Sequence, residues 1–357
     1  MKWLAASWTG CQTPSSLTLS TYPIYRFKMS SSLESVPVAV AVPVPVLEHH
    51  VFTHGNCVDG LLSAHAYRAW ALTHRILTRF YPINPSDERT WRPALSALAP
   101  GAILVFLDVT IPAIPTGHPV LVIDHHPPMG TLPPGSVFST EKCAALLTFE
   151  HLFPGVPVPP LFSSVDRVDR WDEPTQDDLA FREMLHPIAR LGVQAGMDKA
   201  FEQLDMFLML IAYPSSAAQV LAKGHSLLAA KMADLDASLV ACGGRQVLIT
   251  QTQLDNWQLP SAWEGQIAYL VDTTDNHAFD TSLASERVFQ TTPATFFVNY
   301  RRISWRYRGV EHSKFKYHGR SRKGGLDITT SLVLKGHPQA AGGELPNDGR
   351  LLPFISA

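Results

Sequence analysis

The sequence predicts an α/β protein of two domains, in which a parallel sheet with helices on both faces is followed by a smaller mixed α/β domain. Two observations lead to this prediction. From Glu48 to about Leu191, nearly unbroken apolar runs alternate with helical segments, as is typical of strands buried on both faces of a parallel sheet. The alternation restarts at Gly243, and a chain of 357 residues is long enough to bury two cores.

The first domain is predicted to span residues 49–196. Its strands are predicted at the apolar runs 51–53, 102–107, 120–123 and 161–165, and its helices at 61–77 and 142–152. Runs of β-branched and other apolar residues between turn-forming segments are the usual sequence signal of a buried strand. This reading gives a sheet whose strands all run in one direction.

Residues 1–48 are predicted to be a disordered leader. No acidic residue precedes Glu34, and the prolines in the Val/Pro alternation at 36–46 exclude a central strand. Two alternatives stay open: translation could start at Met29, or the acid-poor, Ser-rich segment could be a mitochondrial or plastid transit peptide. Without such a signal a cytoplasmic location is expected, because the four cysteines form no CxxC pair and fit a reducing compartment.

Residues 197–240 are predicted to form a helical connector that Pro214 interrupts, and residues 241–357 the second domain. Within the second domain, strands are predicted at 246–250, 266–272, 295–300, 303–308 and 315–322, and helices at 281–289 and 327–334. The alternation of strands and helices predicts a smaller mixed α/β domain that closes over the first.

Polar side chains follow four predicted strands of the first domain, in the order His54 with Asp59, then Asp108, then Asp124 with His125 and His126, then Asp166 with Asp169. The carboxyl ends of parallel strands meet at one edge of a sheet, where ligands bind. Buried carboxylates brought together there need cations between them, and a mixture of oxygen and nitrogen donors suits a divalent ion such as manganese. The alternative for each single aspartate is an ordinary helix cap or turn.

These segments resemble, in order, the four motifs of the DHH phosphoesterases: His-Gly-Asn-Cys-Val-Asp-Gly at 54–60, Leu-Asp at 107–108, Asp-His-His at 124–126 and Asp-Arg-Val-Asp at 166–169. The chain end resembles the family's accessory domain, DHHA1, through Arg-Ser-Arg at 320–322, Asp-Ile at 327–328 and Gly-His-Pro-Gln-Ala-Ala-Gly at 336–342. The resemblance extends from about Val51 to Gly343. Asp-His-His together with the distant Gly-His-x-x-Ala-Ala-Gly is a specific combination, whereas either half alone would be weak.

The resemblance implies a hydrolase that cleaves phosphoester bonds with manganese, usually two ions, for which Mg²⁺ or Co²⁺ could substitute. The implied metal ligands are His54, Asp59, Asp108, Asp124 and Asp166. Asp108 would bridge the two ions, and His125 or His126 would complete the ligand set or bind the substrate phosphate. The expected catalytic residues are therefore Asp108, Asp124, His125 and His126. A metal-activated hydroxide would attack phosphorus.

Two departures from the family pattern bear on this expectation. Most members carry an aspartate where this chain has Cys57, and manganese prefers oxygen to sulfur. Cys57 and Asp169 are therefore expected either as further ligands or as supporting residues. Leu334 and Lys335 stand where glycines are usual, so the phosphate-binding loop is expected to be stiffer, with Lys335 supplying a charge.

The segment 301–323 carries nine Lys/Arg residues and one acid, with interleaved aromatic residues. Arginine suits phosphate and aromatic faces suit bases. The expected substrate-binding residues are Arg320, Arg322, Lys335, Gly336 and His337. The alternative is an ordinary solvated hairpin.

The predicted function is manganese-dependent hydrolysis of phosphoester bonds in a small nucleotide or short single-stranded oligonucleotide. A non-catalytic nucleotide- or RNA-binding protein that retains the fold is the alternative, and a nucleic-acid-associated module is a third reading. No membrane partner is expected, because no apolar stretch approaches the roughly 20 residues that cross a bilayer. A net charge of −2 gives no global sign of a polyanionic partner. A homodimer stays open.

Overall fold

The structure, a computed structural model, describes the backbone of residues 48–346, apart from 113, 129, 252–254, 256–260, 277–278, 308–309, 323–324, 326–334 and 338–339. Side chains are described for the same residues except 305–312 and 335–346. The predicted leader, apart from Glu48, and the predicted helix at 327–334 lie outside the described residues.

The first domain is built on a parallel sheet, as the sequence predicts. Its strands are β1 (Glu48–His54), β2 (Leu77–Ile83), β3 (Ile103–Leu107), β4 (Val120–Asp124) and β5 (Val137–Phe138). They lie in the order β2-β1-β3-β4-β5, and every neighbouring pair is parallel. The chain leaves β1 towards β2 on one side and returns to β3 on the other, so the strand order reverses between β1 and β3. In open α/β sheets such a switch point forms a crevice at the carboxyl edge.

Helices cover both faces of this sheet. They are α1 (Val58–Thr73), α2 (Glu88–Ser96), α3 (Ala144–Leu152), α4 (Pro160–Asp169) and α5 (Gln176–Ala195). Successive residues of a strand point to opposite faces. On one face Phe52 packs in a core with Trp91 of α2, and on the other Val51 packs with Tyr67 of α1 and Leu147 of α3. The predicted layering is confirmed.

The predicted strand at 161–165 is wrong, because this segment is the first half of α4. Pro160 occupies the first helical turn, where its missing N–H has no partner to lose. The buried side chains of Leu161, Phe162, Val165 and Val168 recur at helical spacing. A short apolar run alone does not distinguish the two structures, and the correction changes which aspartate reaches the sheet edge.

Two further helices follow the first domain, α6 (Met197–Ile211) and α7 (Pro214–Ala241). Pro214 lies in the first turn of α7, so the predicted interruption is the start of a new helix. Among the described residues no single helix is long and apolar enough to cross a membrane, and the bent pair α6–α7 passes that test only by combined length and composition.

The second sheet contains β6 (Arg245–Leu248), β7 (Ile267–Asp272), β8 (Phe296–Tyr307), β9 (Val310–Ser321), β10 (Lys335–His337) and β11 (Ala340–Pro346). Within the described residues its order is β10-β11-β9-β8-β7-β6; β7 and β8 are parallel and the other neighbours antiparallel. A 3₁₀ turn (Ser261–Trp263) and α8 (Thr281–Thr291) complete it. The mixed domain is as predicted.

The strands predicted at 295–300 and 303–308 form one strand, β8. The charged pair at 301–302 does not end it, because both residues pair with β9 in a long antiparallel hairpin, Arg301 opposite Lys316 and Arg302 opposite Phe315. Side chains of adjacent strand residues leave on opposite faces. Consecutive charges are therefore compatible with one continuous strand.

A shared apolar cluster joins the two domains. Leu228 and Leu235 of α7 pack there with Leu283 of α8, Phe297 of β8 and Val168 of α4. The end of α4 thus lies in the same core as the second sheet. This contact holds α8 and β9 opposite the carboxyl edge of the first sheet, where a cleft forms between the domains.

Candidate metal centre and substrate cleft

The carboxyl ends of three neighbouring strands bring the predicted site residues together. His54 ends β1, Asp108 follows β3, and Asp124, His125 and His126 follow from the end of β4. His54 Nδ1 lies 3.5 Å from Asp108 Oδ2, and His126 Nδ1 lies 3.7 Å from Asp108 Oδ1. Residues far apart in sequence therefore meet at the switch point of the sheet.

Asp108 combines a strained backbone with an unsatisfied side chain. Its φ is +59°, a left-handed conformation that is uncommon for residues other than glycine. The residue is 1% exposed, and both carboxylate oxygens lack a hydrogen bond of ordinary geometry to any described residue. Burying an unpaired carboxylate is costly, and such strain collects at functional sites. Both observations indicate that the carboxylate is positioned to bind a cation.

The two carboxylate oxygens of Asp124 have different surroundings. Oδ1 accepts the backbone N–H groups of His125 at 2.7 Å and His126 at 3.1 Å, and contacts Nδ1 of His126 at 2.9 Å. Oδ2 is buried without a hydrogen-bond partner among the described residues. One oxygen thus shapes the turn after β4, and the other is available to a ligand.

Asp59 links the site to the amino end of α3. Its Oδ2 accepts the N–H of Ala144 at 2.9 Å and its Oδ1 that of Ala145 at 2.6 Å, where the helix dipole favours a negative charge. The next residue, Gly60, lets the start of α1 pack closely against the end of β1. A Cβ at this position would lie 2.5 Å from the carbonyl oxygen of His54 and 3.2 Å from Asp108 Oδ2. Glycine is therefore required where α1 passes β1.

The two aspartates of α4 have different surroundings. Asp166 accepts the N–H of Cys143 at 2.6 Å and forms two hydrogen bonds with the guanidinium of Arg170. Asp169, three residues later, lies with Oδ2 3.3 Å from His125 Nε2. The structure therefore places Asp169 at the site. Asp166, the expected ligand, holds the start of α3 instead, and the difference follows from α4 being a helix and not a strand.

Within the described residues, three overlapping groups could hold a metal ion, since the candidate ligand atoms of each group lie within 4.8 Å of one another. They are Asp108 with Asp124, His125 and His126; His54 with Cys57 and Asp108; and Asp59 with His125 and Asp169. Asp108 and His125 each belong to two groups. Carboxylate and imidazole donors with unpartnered buried oxygens fit a divalent cation, so the donor set is compatible with the expected metal.

Charges at the site are strongly coupled. Burial raises the pKa of Asp59 well above its usual value, and Asp108 and Asp169 raise it further. Burial acts the same way on Asp108, but the imidazoles of His125 and His54 outweigh it and hold the Asp108 pKa below its usual value. Burial opposes protonation of His126, yet Asp124 and Asp108 raise its pKa to about 9. Without a cation, protons on the histidines balance the carboxylates.

Metal affinity is therefore expected to rise with pH. A metal-ligating histidine must be neutral, so a cation displaces the proton that His126 holds below its pKa of about 9. We expect the apparent association constant for Mn²⁺ to increase about tenfold per pH unit from roughly pH 6 to pH 8. Calorimetric titration in buffers of different ionisation enthalpy measures both the affinity and the protons released. An affinity that stays constant over this range, with no proton release, would contradict the assignment.

A cleft of about 300 Å³ opens beside the metal groups and has walls from both domains. The first domain contributes residues from the start of α1, the end of α4 and one face of α5, and the second contributes α8 and β9. The charged and polar side chains that line it are His54, Asn56, Cys57, Asp59, Asp169, Asp178, Arg182, His186, Ser282 and Arg320. The lining thus combines carboxylates of the metal groups, Asp59 and Asp169, with the guanidinium groups of Arg182 and Arg320.

Arg320 and Arg322, both expected to bind substrate, lie in different environments. Arg320 lines the cleft, donates to Ser282 Oγ at 2.7 Å, and has no ion pair with a carboxylate among the described residues. Burial lowers its pKa, but a guanidinium stays charged. Arg322 lies outside the cleft lining and donates to the carbonyls of Ala294, Phe289 and Thr292 at the end of α8. An anion fits at Arg320, whereas Arg322 is engaged by the backbone.

The other expected substrate residues, Lys335, Gly336 and His337, form β10 at the edge of the second sheet. Their side chains lie outside the description, as does residue 338 of the Gly-His motif. Their role in binding stays a prediction.

Sequence reasoning missed three cleft residues on α5: Asp178, Arg182 and His186. Arg182 pairs with Asp280 at 2.8 Å, and its guanidinium lies 6.0 Å from the ring centroid of Trp171. Burial, with Arg182 adding to it, lowers the pKa of His186 to about 3, so this imidazole is neutral. A signal existed: Thr175 and Asp178 form a capping box that starts α5, and residues 182 and 186 lie on one face of that helix.

The chain resembles several solved structures at low sequence identity. For RecJ in complex with Mn²⁺ from Thermus thermophilus, identity is 17%, coverage 87% of this chain and 51% of that one, and TM-score 0.46. For PggH, a pGpG-specific phosphodiesterase from Vibrio cholerae, identity is 13%, coverage 87% of this chain and 97% of that one, and TM-score 0.46. For an exopolyphosphatase-related protein from Bacteroides fragilis, identity is 10%, coverage 87% of this chain and 91% of that one, and TM-score 0.45.

These three proteins are members of the DHH family, which the motifs of this chain resemble. No protein-family profile and no curated protein matches the sequence. At identities below 20% and TM-scores below 0.5, the likenesses by themselves assign neither an activity nor a substrate to the chain.

Proposed function

We propose that the protein is a metal-dependent phosphoesterase of the DHH type. The observation that carries this proposal is the cluster of carboxylates and imidazoles at the switch point, where Asp108 is buried and neither of its carboxylate oxygens has a hydrogen bond among the described residues. The guanidinium of Arg320, which pairs with no carboxylate in the described part of the chain, lines the cleft that adjoins this cluster. A site that can hold cations on one wall and an anion on the other suits a phosphorylated substrate.

The residues that would hold the cations are Asp108, Asp124, His125 and His126 in one group, and His54, Asp59 and Asp169 in the adjoining groups. When bound, divalent ions such as Mn²⁺ neutralise the carboxylates, lower the pKa of a bound water and stabilise negative charge on phosphoryl oxygens. Asp59 and Asp124 are fixed in advance by backbone N–H groups, so their carboxylates need little reorganisation. This fixed geometry is what a catalytic site requires.

The opposite wall would bind and orient the substrate. The guanidinium of Arg320 would donate to an anionic oxygen of the substrate, and Arg182, paired with Asp280, lines the same cleft. The indole of Trp171 lines the same cleft and offers an apolar surface of the kind on which bases stack. A volume of about 300 Å³ is at the small end of ligand sites. The proposed substrate is therefore a small nucleotide or the end of a short single-stranded oligonucleotide.

One observation favours the alternative of a non-catalytic nucleotide-binding protein. Cys57 occupies a position where an oxygen ligand would serve manganese better. Such a protein would bind the same anionic ligands through Arg320 but would not turn them over. Binding and turnover must therefore be measured separately.

The test is a screen of the purified full chain for turnover with and without Mn²⁺. Candidate substrates are a generic aryl phosphodiester, linear dinucleotides with a terminal phosphate, short oligoribonucleotides, bisphosphorylated nucleosides and polyphosphate. We expect turnover of at least one small nucleotide, abolished by chelation and restored by Mn²⁺. Ligand binding without turnover at saturating Mn²⁺, Mg²⁺, Co²⁺ and Zn²⁺ would favour the non-catalytic alternative.

A further inference from the structure

Cys57 lies in an unusual position for a cysteine. It is the N-cap of α1, yet its side chain makes no capping hydrogen bond, and Ser, Thr, Asp or Asn are the residues that stabilise this position. Its Sγ lies within 4.8 Å of ligand atoms of both His54 and Asp108. The sequence thus places a thiol where helix capping favours oxygen, and the thiol faces a cluster of possible metal ligands.

A second observation points to a ligand at this place. Asp108 is 1% exposed, and neither carboxylate oxygen has a hydrogen-bond partner among the described residues. One buried carboxylate therefore belongs to two groups of different chemistry. Next to the histidines and Asp124 it faces only oxygen and nitrogen donors, whereas next to His54 and Cys57 it faces nitrogen and sulfur.

We propose that His54, Cys57 and Asp108 form a metal subsite that selects a thiophilic divalent cation such as Zn²⁺, Co²⁺ or Fe²⁺. The adjoining oxygen- and nitrogen-rich subsite then takes a harder ion, and Asp108 joins the two. This inference rests on the metal centre of the proposed function. Thiolate and imidazole ligands favour zinc and its neighbours over manganese, and zinc binds sulfur at about 2.3 Å and nitrogen at about 2.0 Å.

The charge of the subsite supports this selectivity. A neutral His54, a Cys57 thiolate and an ionised Asp108 together carry two negative charges, which balance one divalent cation. On binding, the thiol gives its proton to solvent and the sulfur forms the bond to the metal. An aspartate at position 57 would supply the same charge through oxygen. The cysteine therefore alters the softness of the ligand set without altering its charge, and Cys57→Asp is a matched variant.

The experiment is a titration of metal-free full-length protein with Co²⁺, followed by absorption spectroscopy. Sulfur-to-cobalt charge transfer gives a near-ultraviolet band that oxygen and nitrogen ligands do not give. We expect the band in the wild type and in Cys242→Ser, a control at the far end of α7. We expect its loss in Cys57→Asp and in Cys57→Ser. Competition titrations should show the preference for Zn²⁺ over Mn²⁺ at least about tenfold smaller in Cys57→Asp than in the wild type.

A wild-type spectrum without the band overturns the inference, whatever the state of the variants. A band that persists in Cys57→Asp also overturns it, because another cysteine would then be the ligand. The outcome is independent of catalysis. If the band is present and no substrate turns over, the proposed function fails and the subsite stands. If turnover requires Asp108 and the band is absent, the proposed function stands and the subsite fails.

Discussion

Replacing Asp108 with asparagine is expected to lower the turnover number at least about a thousandfold and to remove most of the bound metal. The variant keeps the shape of the side chain but loses the charge shared by two metal groups, and metal ions supply several kcal/mol of transition-state stabilisation, at about 1.4 kcal/mol per tenfold in rate. Asparagine also tolerates the left-handed backbone, which Asp108 adopts with φ +59°. Metal analysis, steady-state kinetics and thermal melting together separate loss of function from loss of fold.

Asp166→Asn is the matched control for this experiment. Asp166 resembles a family metal ligand in sequence, yet it contacts Arg170 and the N–H of Cys143 and lies outside the three metal groups. We expect this variant to retain its metal content and to keep activity within about tenfold of the wild type, with the loss appearing in the melting temperature. Equal metal loss in both variants, or full activity of Asp108→Asn, would show that the assignment of the two aspartates is wrong.

The second large effect is expected at Arg320. Exchange for glutamine should raise KM for a phosphorylated substrate about 10- to 100-fold and leave metal content unchanged. Hydrogen bonds to charged groups contribute about 1.5–3 kcal/mol, and 1.4 kcal/mol corresponds to about tenfold in affinity. The guanidinium lines the cleft, and its one hydrogen bond among the described residues is to Ser282. Kinetics with a saturable dinucleotide substrate measure the change.

Arg322→Gln separates substrate binding from fold stability. This side chain donates to three carbonyls at the carboxyl end of α8, so its loss should destabilise the second domain by about 1 kcal/mol and leave KM unchanged. Denaturant unfolding beside the kinetic measurement reports both quantities. The cleft assignment does not hold if KM rises equally in the two variants, or if Arg320→Gln has the kinetics of the wild type.

Three strands of the first sheet and most of its site could be predicted from sequence, because β1, β3 and β4 lead into residues of distinct chemistry, whereas β2 and β5 end on Ile83 and Phe138 and carry no such signal. The apolar run at 120–123 leads directly into Asp124, and that at 102–107 into Asp108. Parallel strands align such ends without any knowledge of the loops. Once β1, β3 and β4 are identified in the sequence, parallel topology alone predicts that His54, Asp108 and Asp124 lie close together.

The fourth predicted strand end shows where this reasoning stops. The run at 161–165 is as apolar as the others, but it is a helix that begins at Pro160. Residues three apart on a helix differ in direction by about 60°, so Asp166 and Asp169 leave α4 at different angles and contact different partners. Local composition does not determine which of them reaches His125. In the structure Asp169 does, and the adjacent Val168 packs in the apolar cluster shared with the second domain.

The cationic wall of the cleft was the least predictable part. Arg182 lies in the middle of α5 among ordinary amphipathic positions, and nothing beside it in sequence distinguishes it from a surface arginine. Its position depends on contacts with Trp171, just before α5, and with Asp280, 98 residues away along the chain. The capping box predicts where α5 begins, but only these long-range contacts determine that the face carrying Arg182 lines the cleft.

The cleft takes its two walls from separate parts of the chain, and this division has an evolutionary consequence. Residues on α5, α8 and β9 can drift without disturbing the strand ends that carry the acidic groups, because the two sets share no backbone. For the phosphoesterase proposed above, paralogues that differ on these three elements are expected to differ in the ligand they bind and to share the metal chemistry.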